Sequence, residues 1–400
     1  MASVIVVDND LIGSIKEYSS VIDNINNSNE FSSSLNLPQS DSELNKQELF
    51  EKINNESNDE KFKKLTDKEF EPTFYLLIHI LSELSTRDQV LNDFNSTIYK
   101  KLIKVTPSQP QSLKDRKSIK STTILSIYST IFNLLPTDSN TRIYILKEIL
   151  KVIKASKIEF NLIEKNIGNN LIPWLKEANC NEEEIKELFW NFVQLDSNYS
   201  KKSLNLIKNF THLYKITSDL ELNNLITFAL NSKTVDVSFL INNNVAECLK
   251  SNSSNDLAKI FNKYIHGEVI SESDFKESIN LPKQFIIKKS KILALAKDFS
   301  NESNERLSFD YKEIPNVESS FELEELLVDA IKSGVIEGKL NQVDEKFYLT
   351  RVNRFIVAGE DNEKNWNDIK STLQQWKESL NNINEVVKAA RENIVNNSSA

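Results

Sequence analysis

Apolar residues return every three or four positions through most of this 400-residue chain, and the phase of the return resets at short polar interruptions. That period belongs to amphipathic helices; a half-buried strand would alternate with period two. Near the start, Leu11, Ile12, Ile15, Tyr18, Val21 and Ile22 have helical spacing and predict an N-terminal helical segment within 1–23, although the preceding Val-Ile-Val-Val run also suits a strand. Residues 24–70 are rich in Asn, Ser and charge, with sparse apolar positions. This composition predicts a flexible linker holding at most one marginal helix around 44–53.

From Glu71 a run of helices is expected over 71–84, 87–104, 119–134, 139–155, 158–176, 182–194, 199–214, 219–230, 236–248 and 255–265. Several begin on side chains suited to a helix start: Ser85 to Asp88, Asp138 before Thr141, and Asn181 before the acidic first turn of Glu182, Glu183 and Glu184. Stacked in pairs, such helices bury their apolar stripes on their neighbours without one central core. No fixed period repeats in the sequence, so 71–282 is expected to be an irregular helical-repeat solenoid.

After Pro282 the pattern becomes mixed. Residues 285–299 and 320–333 predict helices, 308–316 a short strand or helical turn, 335–340 and 346–350 strands, and 354–358 a further one. Gly334 suits a helix end, where left-handed backbone carries no penalty without a Cβ. Helix, helix, then a small antiparallel wing is the order of a winged helix, placed at 283–358. The last segment, 361–397, carries the strongest periodicity. Trp366, Ile369, Leu373, Trp376, Leu380, Ile383, Val387, Ala390 and Ile394 follow alternating steps of three and four, a coiled-coil seam over four heptads. Such a helix must pack on another, from a partner or from its own chain, so Trp366, Ile369, Leu373, Trp376, Leu380, Ile383 and Val387 are the candidate partner-helix interface.

Composition narrows the function classes. With 6 Gly and 8 Pro, the chain lacks the glycine patterns of P-loop and Rossmann nucleotide sites. Its formal net charge of -9 gives no long-range attraction to a polyanion. The charge is uneven, however: residues 1–96 hold 8 Lys and Arg against 18 Asp and Glu, and 97–157 hold 12 against 3. The basic stretch could meet RNA or an acidic protein, or be a solvated helix surface; Lys114, Arg116, Lys117 and Lys120 are the candidate auxiliary RNA contacts, within a wider strip of Lys100, Lys101, Lys104, Lys147, Lys151, Lys154 and Lys157.

Catalytic chemistry finds little support. The 2 cysteines, Cys180 and Cys248, cannot make a disulfide framework or a thiolate cage, and His79, His212 and His266 fall in separate elements without metal-ligand spacing. No catalytic, cofactor-binding or metal-ligating residue is assigned, and no enzyme activity is expected. Neither a secretory leader nor a membrane span is visible, which suits a cytoplasmic protein. The helix in the DNA-recognition position of the winged helix carries Glu322, Glu324, Glu325 and Asp329, the wrong sign for insertion beside phosphates.

The residues from Glu71 to Ala358, and above all AIKSGVIEGKLNQ at 330–342, resemble the PCI family, named for the proteasome lid, the signalosome and translation initiation factor assemblies. Gly338, Lys339 and Leu340 occupy recognisable positions of its first wing strand; Asn341 stands where the family often has Asp. Within the family, the order of FELEELLVDAIKSGVIEGKLNQVDEKFYLT, then RVNRF, then NWNDIKSTLQQWKESLNNINEV is most similar to the translation initiation factor 3 branch. There Arg354 and Phe355 resemble an arginine-aromatic junction, and Trp376 and Lys377 a W-K step. The resemblance implies a non-catalytic scaffold beside other subunits of that factor, especially PCI-containing ones, with C-terminal helices gathered in a bundle. It also implies contact with the small ribosomal subunit through the complex, which supports recruitment of initiator tRNA and mRNA. A proteasome-lid or signalosome-like scaffold would share the architecture with different partners.

Overall fold

The computed structural model describes residues 9–35, 37–38, 44–110, 115, 117–252, 254–276, 279, 281–302, 306–315, 319–353 and 362–398. It is mainly α, and its backbone contacts gather into two compact units, Met1–Ser197 and Asn198–Ala400.

In the first unit α1 (Leu11–Asn26) starts at Asp10, whose carboxylate accepts from the Gly13 N–H at 2.8 Å. Its face of Ile12, Ile15, Tyr18 and Ile22 is buried, as the spacing predicts. The chain then runs through α2 (Glu30–Ser34), α3 (Lys46–Glu56), α4 (Asp59–Phe62), α5 (Asp67–Leu84), α6 (Arg87–Leu91), α7 (Thr97–Val105), α8 (Ser121–Leu134), α9 (Thr141–Ser156), α10 (Phe160–Ile163), α11 (Leu171–Glu177) and α12 (Glu182–Val193). Packing passes along the series: α1 and α3 lie on α5, α5 on α8, α8 on α9 and α9 on α12.

The described residues of the segment expected to be a flexible linker are instead built into this core. Phe31, Leu35, Leu49, Ile53, Phe62 and Leu65 are all buried. The Phe62 ring meets Phe70 at 5.9 Å and Phe74 at 5.8 Å between centroids. Polar groups hold the segment as well: Asp23 accepts from the backbone N–H groups of Phe31 and Ser32, both at 3.0 Å, and the Tyr18 hydroxyl bonds Ser57 Oγ at 2.6 Å. A few large apolar residues, correctly phased, compensate for the polar composition around them.

Two expected helices of this unit are broken, and in the second unit the one expected over 236–248 is a 3-10 turn, Ser238–Leu240, followed by a helix that begins at Asn243. The one over 87–104 stops at Asn92, whose carbonyl oxygen accepts from Thr141 Oγ1 at 2.6 Å while Asp93 accepts from the Asn95 N–H at 2.9 Å; short polar side chains here give the backbone alternatives to helix. The one over 158–176 contains a π turn at Glu164–Gly168. The start at Asn181 is as expected, its side chain accepting from the Glu184 N–H at 2.8 Å.

The second unit opens with α13 (Lys201–Leu213), α14 (Asp219–Asn231), α15 (Asn243–Ser251) and α16 (Asp256–Ile265). There follow α17 (Lys283–Glu302), β1 (Ser308–Asp310), a 3-10 turn (Tyr311–Glu313), α18 (Ser320–Lys332), β2 (Ile336–Asn341), β3 (Lys346–Val352) and α19 (Asn362–Ser398). The antiparallel sheet has the order β1-β3-β2, with Phe309 and Leu340 both opposite Phe347. Residues 308–316 thus hold both expected alternatives in turn, a strand and then a helical turn.

The winged-helix core is Phe299 stacked on Phe347 at 5.3 Å and tilted against Phe309 at 4.6 Å, with Leu323, Leu326, Leu327, Ala330, Ile336 and Leu349 buried around them. Gly334 ends α18 with φ +74°, as its sequence position predicts. Gly338 sits at a bulge in β2, where a Cβ would come within 2.3 Å of the Phe347 ring and 2.7 Å of the Tyr348 carbonyl oxygen. The expected strand over 354–358 lies outside the described residues, as do Arg354 and Phe355.

Candidate assembly interface

α19 is 37 residues long, about 55 Å at 1.5 Å per residue. The candidate interface residues fall on one face of it, and most of them are exposed. Trp366 is 68% exposed and Trp376 70%; Leu373, Leu380, Ile383 and Val387 are each more than half exposed, with Ile369 half-buried. Covering those six exposed side chains would stabilise by roughly 1–2 kcal/mol each, on the order of 10 kcal/mol together. That is comparable with the 4–15 kcal/mol or so lost when two bodies associate, so a partner must cover most of the seam to hold.

The winged helix is rooted in the repeats through α17. Lys289 is 3% exposed, and its ammonium donates to the carbonyl oxygens of Ala229 at 2.7 Å and Ser232 at 3.0 Å, at the C-terminal end of α14, while lying 5.3 Å from the Tyr264 ring centroid. Carbonyls left free by a helix end suit a cation. Burial pushes the amine's pKa down to about 7. Next to it, Ser290 Oγ accepts from the Ile270 N–H at 3.0 Å. On the other side Lys288 pairs with Glu325 at 2.6 Å and Asp329 at 2.7 Å, and Lys291 with Glu322 at 2.9 Å. The acidic face of α18 is therefore largely matched by lysines of its own unit.

The turn between the wing strands is organised by Asn341. Its side-chain oxygen accepts from the N–H groups of Val343 at 3.2 Å and Asp344 at 3.3 Å, and its amide donates to Asp344 Oδ2 at 2.8 Å. The acceptor that Asp would provide is retained by Asn.

The basic strip does not form one free surface. Lys101 turns inward and donates to the carbonyl oxygens of Asn54 at 2.7 Å and Ser57 at 2.5 Å, its pKa pushed down to about 8 by burial, with repulsion from Lys104 beside it. Lys147 pairs with Glu184 at 3.1 Å, Lys151 with Glu148 at 2.6 Å, and Lys104 with Asp59 at 3.7 Å. Lys117 and Lys120 are exposed just ahead of α8, where the Lys120 N–H donates to Asp67 at 2.8 Å; Lys114 and Arg116 lie outside the described residues.

The cysteines and histidines lie in separate parts of the chain. Burial raises the Cys180 thiol pKa to about 11, aided by Glu184 at 3.5 Å, so it holds its proton at neutral pH. His79 lies in α5, His212 in α13, and His266 after α16, where its Nδ1 is 2.6 Å from the Asn262 carbonyl oxygen. Among the described residues no three His, Cys, Asp or Glu side chains gather as a metal site, and no helix is long and apolar enough to cross a membrane.

Packed helices leading into a winged helix, followed by a helix with an exposed heptad seam, match the order of elements that the resemblance to the PCI family implies. No family model matches the chain. Proteins it is similar to include eukaryotic translation initiation factor 3 subunit M of several fungi. It is 25% identical to that of Coccidioides immitis over 347 residues, covering 82% of this chain and 71% of the relative. It is 26% identical to that of Phaeosphaeria nodorum over 344 residues, covering 81% and 73%. For Emericella nidulans the identity is 25% over 362 residues, covering 84% and 75%. These likenesses support assignment to the PCI-domain family, beside subunit M.

Proposed function

We propose that this chain is a non-catalytic scaffold subunit of translation initiation factor 3, acting in the cytoplasm. In this reading α19 enters a bundle with helices of other subunits through Trp366, Ile369, Leu373, Trp376, Leu380, Ile383 and Val387, and the winged helix lies against other PCI-containing subunits. The single observation that carries the scaffold role is the exposed seam, a large apolar face of a kind that marks an interaction surface. The likeness to subunit M over most of the chain supports the choice of assembly.

The complex so held would bind the small ribosomal subunit and support recruitment of initiator tRNA and mRNA. Contact of Lys114, Arg116, Lys117 and Lys120 with RNA is auxiliary here, since four cationic groups neutralise few phosphates. Affinity purification of the tagged chain from its own cells, with mass identification of what co-purifies, tests the proposal. Initiation-factor subunits and small-ribosomal proteins are the expected set. Proteasome-lid or signalosome components without initiation factors would reject it in favour of the other PCI scaffolds.

A further inference from the structure

We propose that α19 takes as its partner a helix whose own apolar seam is flanked by acidic residues. This rests on the reading of α19 as an assembly helix and adds what sits beside the seam. With Trp366, Leu373, Leu380 and Val387 at one core position and Ile369, Trp376, Ile383 and Ala390 at the other, the residue after each of the second set borders the interface. Those residues are Lys370, Lys377, Asn384 and Arg391, all exposed, and none of the three basic ones forms an ion pair with a described residue. Only Glu363, ahead of the first seam residue, interrupts the sign of this row.

The opposite shoulder is uncharged, with Thr372, Ser379 and Val386, while Glu378 and Glu385 lie on the side of the helix away from the seam. From Lys370 to Arg391 the interface therefore has one basic edge about 32 Å long. A second copy of this chain does not complement that edge. Antiparallel pairing would set Lys370, Lys377 and Arg391 against the same row, and parallel pairing would set them against Thr, Ser and Val. A foreign helix with Glu or Asp at both flanking positions meets the basic edge in either direction, and such flanking pairs set partner choice and orientation in coiled coils.

The test uses the full chain and two fluorescein-labelled designed helices of about 35 residues with the same Leu/Ile seam. One carries Glu at both flanks and the other Lys; the like charges keep each from pairing with itself. Anisotropy titrations at low salt are expected to show the Glu-flanked helix binding roughly tenfold more tightly, from three pairs of modest strength, with the preference shrinking at about 1 M salt. The K370Q/K377Q/R391Q variant should lose the preference and keep the binding, and L373S/W376S/L380S should lose both. Equal binding of the two helices, or a preference for Lys, would overturn the charge inference and leave the seam as an assembly surface. Binding of neither, with helicity intact, would overturn both, and a stable dimer of the chain in sedimentation would show that the occupant is a second copy.

Discussion

The Lys289 ammonium nitrogen lies 2.7 Å from the carbonyl oxygen of Ala229, joining the first helix of the winged module to the end of α14. Its pKa is about 7 in the folded chain, against an ordinary value of 10.5. Between those values the unfolded chain holds the extra proton, so this group's contribution makes stability rise with pH from about 7 upward and leaves it level below. Lys289→Met should remove a slope of up to about 1.4 kcal/mol per pH unit in that window. Urea unfolding of both proteins between about pH 6 and 9 measures it; parallel profiles would refute the assignment.

Gly338 has no room for a methyl group. Gly338→Ala would press on the Phe347 ring and on the Tyr348 backbone, and the backbone cannot step aside. A loss of about 1–3 kcal/mol or more is expected, confined to the second unit. Thermal unfolding with hydrogen exchange of β2 and β3 would detect it, and an unchanged profile would mean that the bulge relaxes.

Lys101 and Lys117 come from the same basic stretch but have different roles. Lys101→Met leaves the carbonyls of Asn54 and Ser57 without their donor and should weaken α3 and α7 by about 1–3 kcal/mol, read as faster amide exchange in those helices. Lys117→Gln with Lys120→Gln should stay within about 0.5 kcal/mol of the parent.

The seam separates folding from association. Leu373→Ser, Trp376→Ser and Leu380→Ser alter side chains that the free chain leaves in water, so its unfolding midpoint should hold to within about 0.5 kcal/mol per substitution. Retention of partners in a native pull-down should fall sharply, since large buried anchors at interfaces are each worth about 2 kcal/mol or more. Full retention of every partner would sink the bundle proposal.

Much of this was legible in the sequence because period and phase report a single face. The α1 stripe, the Asn181 start, the Gly334 end and the seam of α19 all follow from spacing alone. The order of elements in the winged helix followed too. What the spacing hid depends on distant partners. Phe31, Ile53 and Phe62 looked too few to order a polar segment until Tyr18, Phe70 and Phe74 came against them. Lys101 read as part of a basic strip, yet it stands in phase with its helix's buried positions Ile98 and Val105, as Lys289 does with Ile286 and Leu293. A lysine on the apolar stripe was the available signal. The break at Asn92 was not marked by Gly or Pro and depended on local polar hydrogen bonds, whereas the π turn ends on Gly168.

Residues 288 to 291 of α17 reach alternately to opposite sides: Lys289 and Ser290 into the end of the repeats, Lys288 and Lys291 onto α18. One residue added or lost between Lys289 and Lys291 would swing everything beyond it by about 100° and slide it by 1.5 Å, so that one set of contacts must be abandoned. Substitutions can accumulate along such a helix, but its length is fixed. Relatives that keep this joint should therefore align through α17 without a gap, however far the rest of their sequences have drifted.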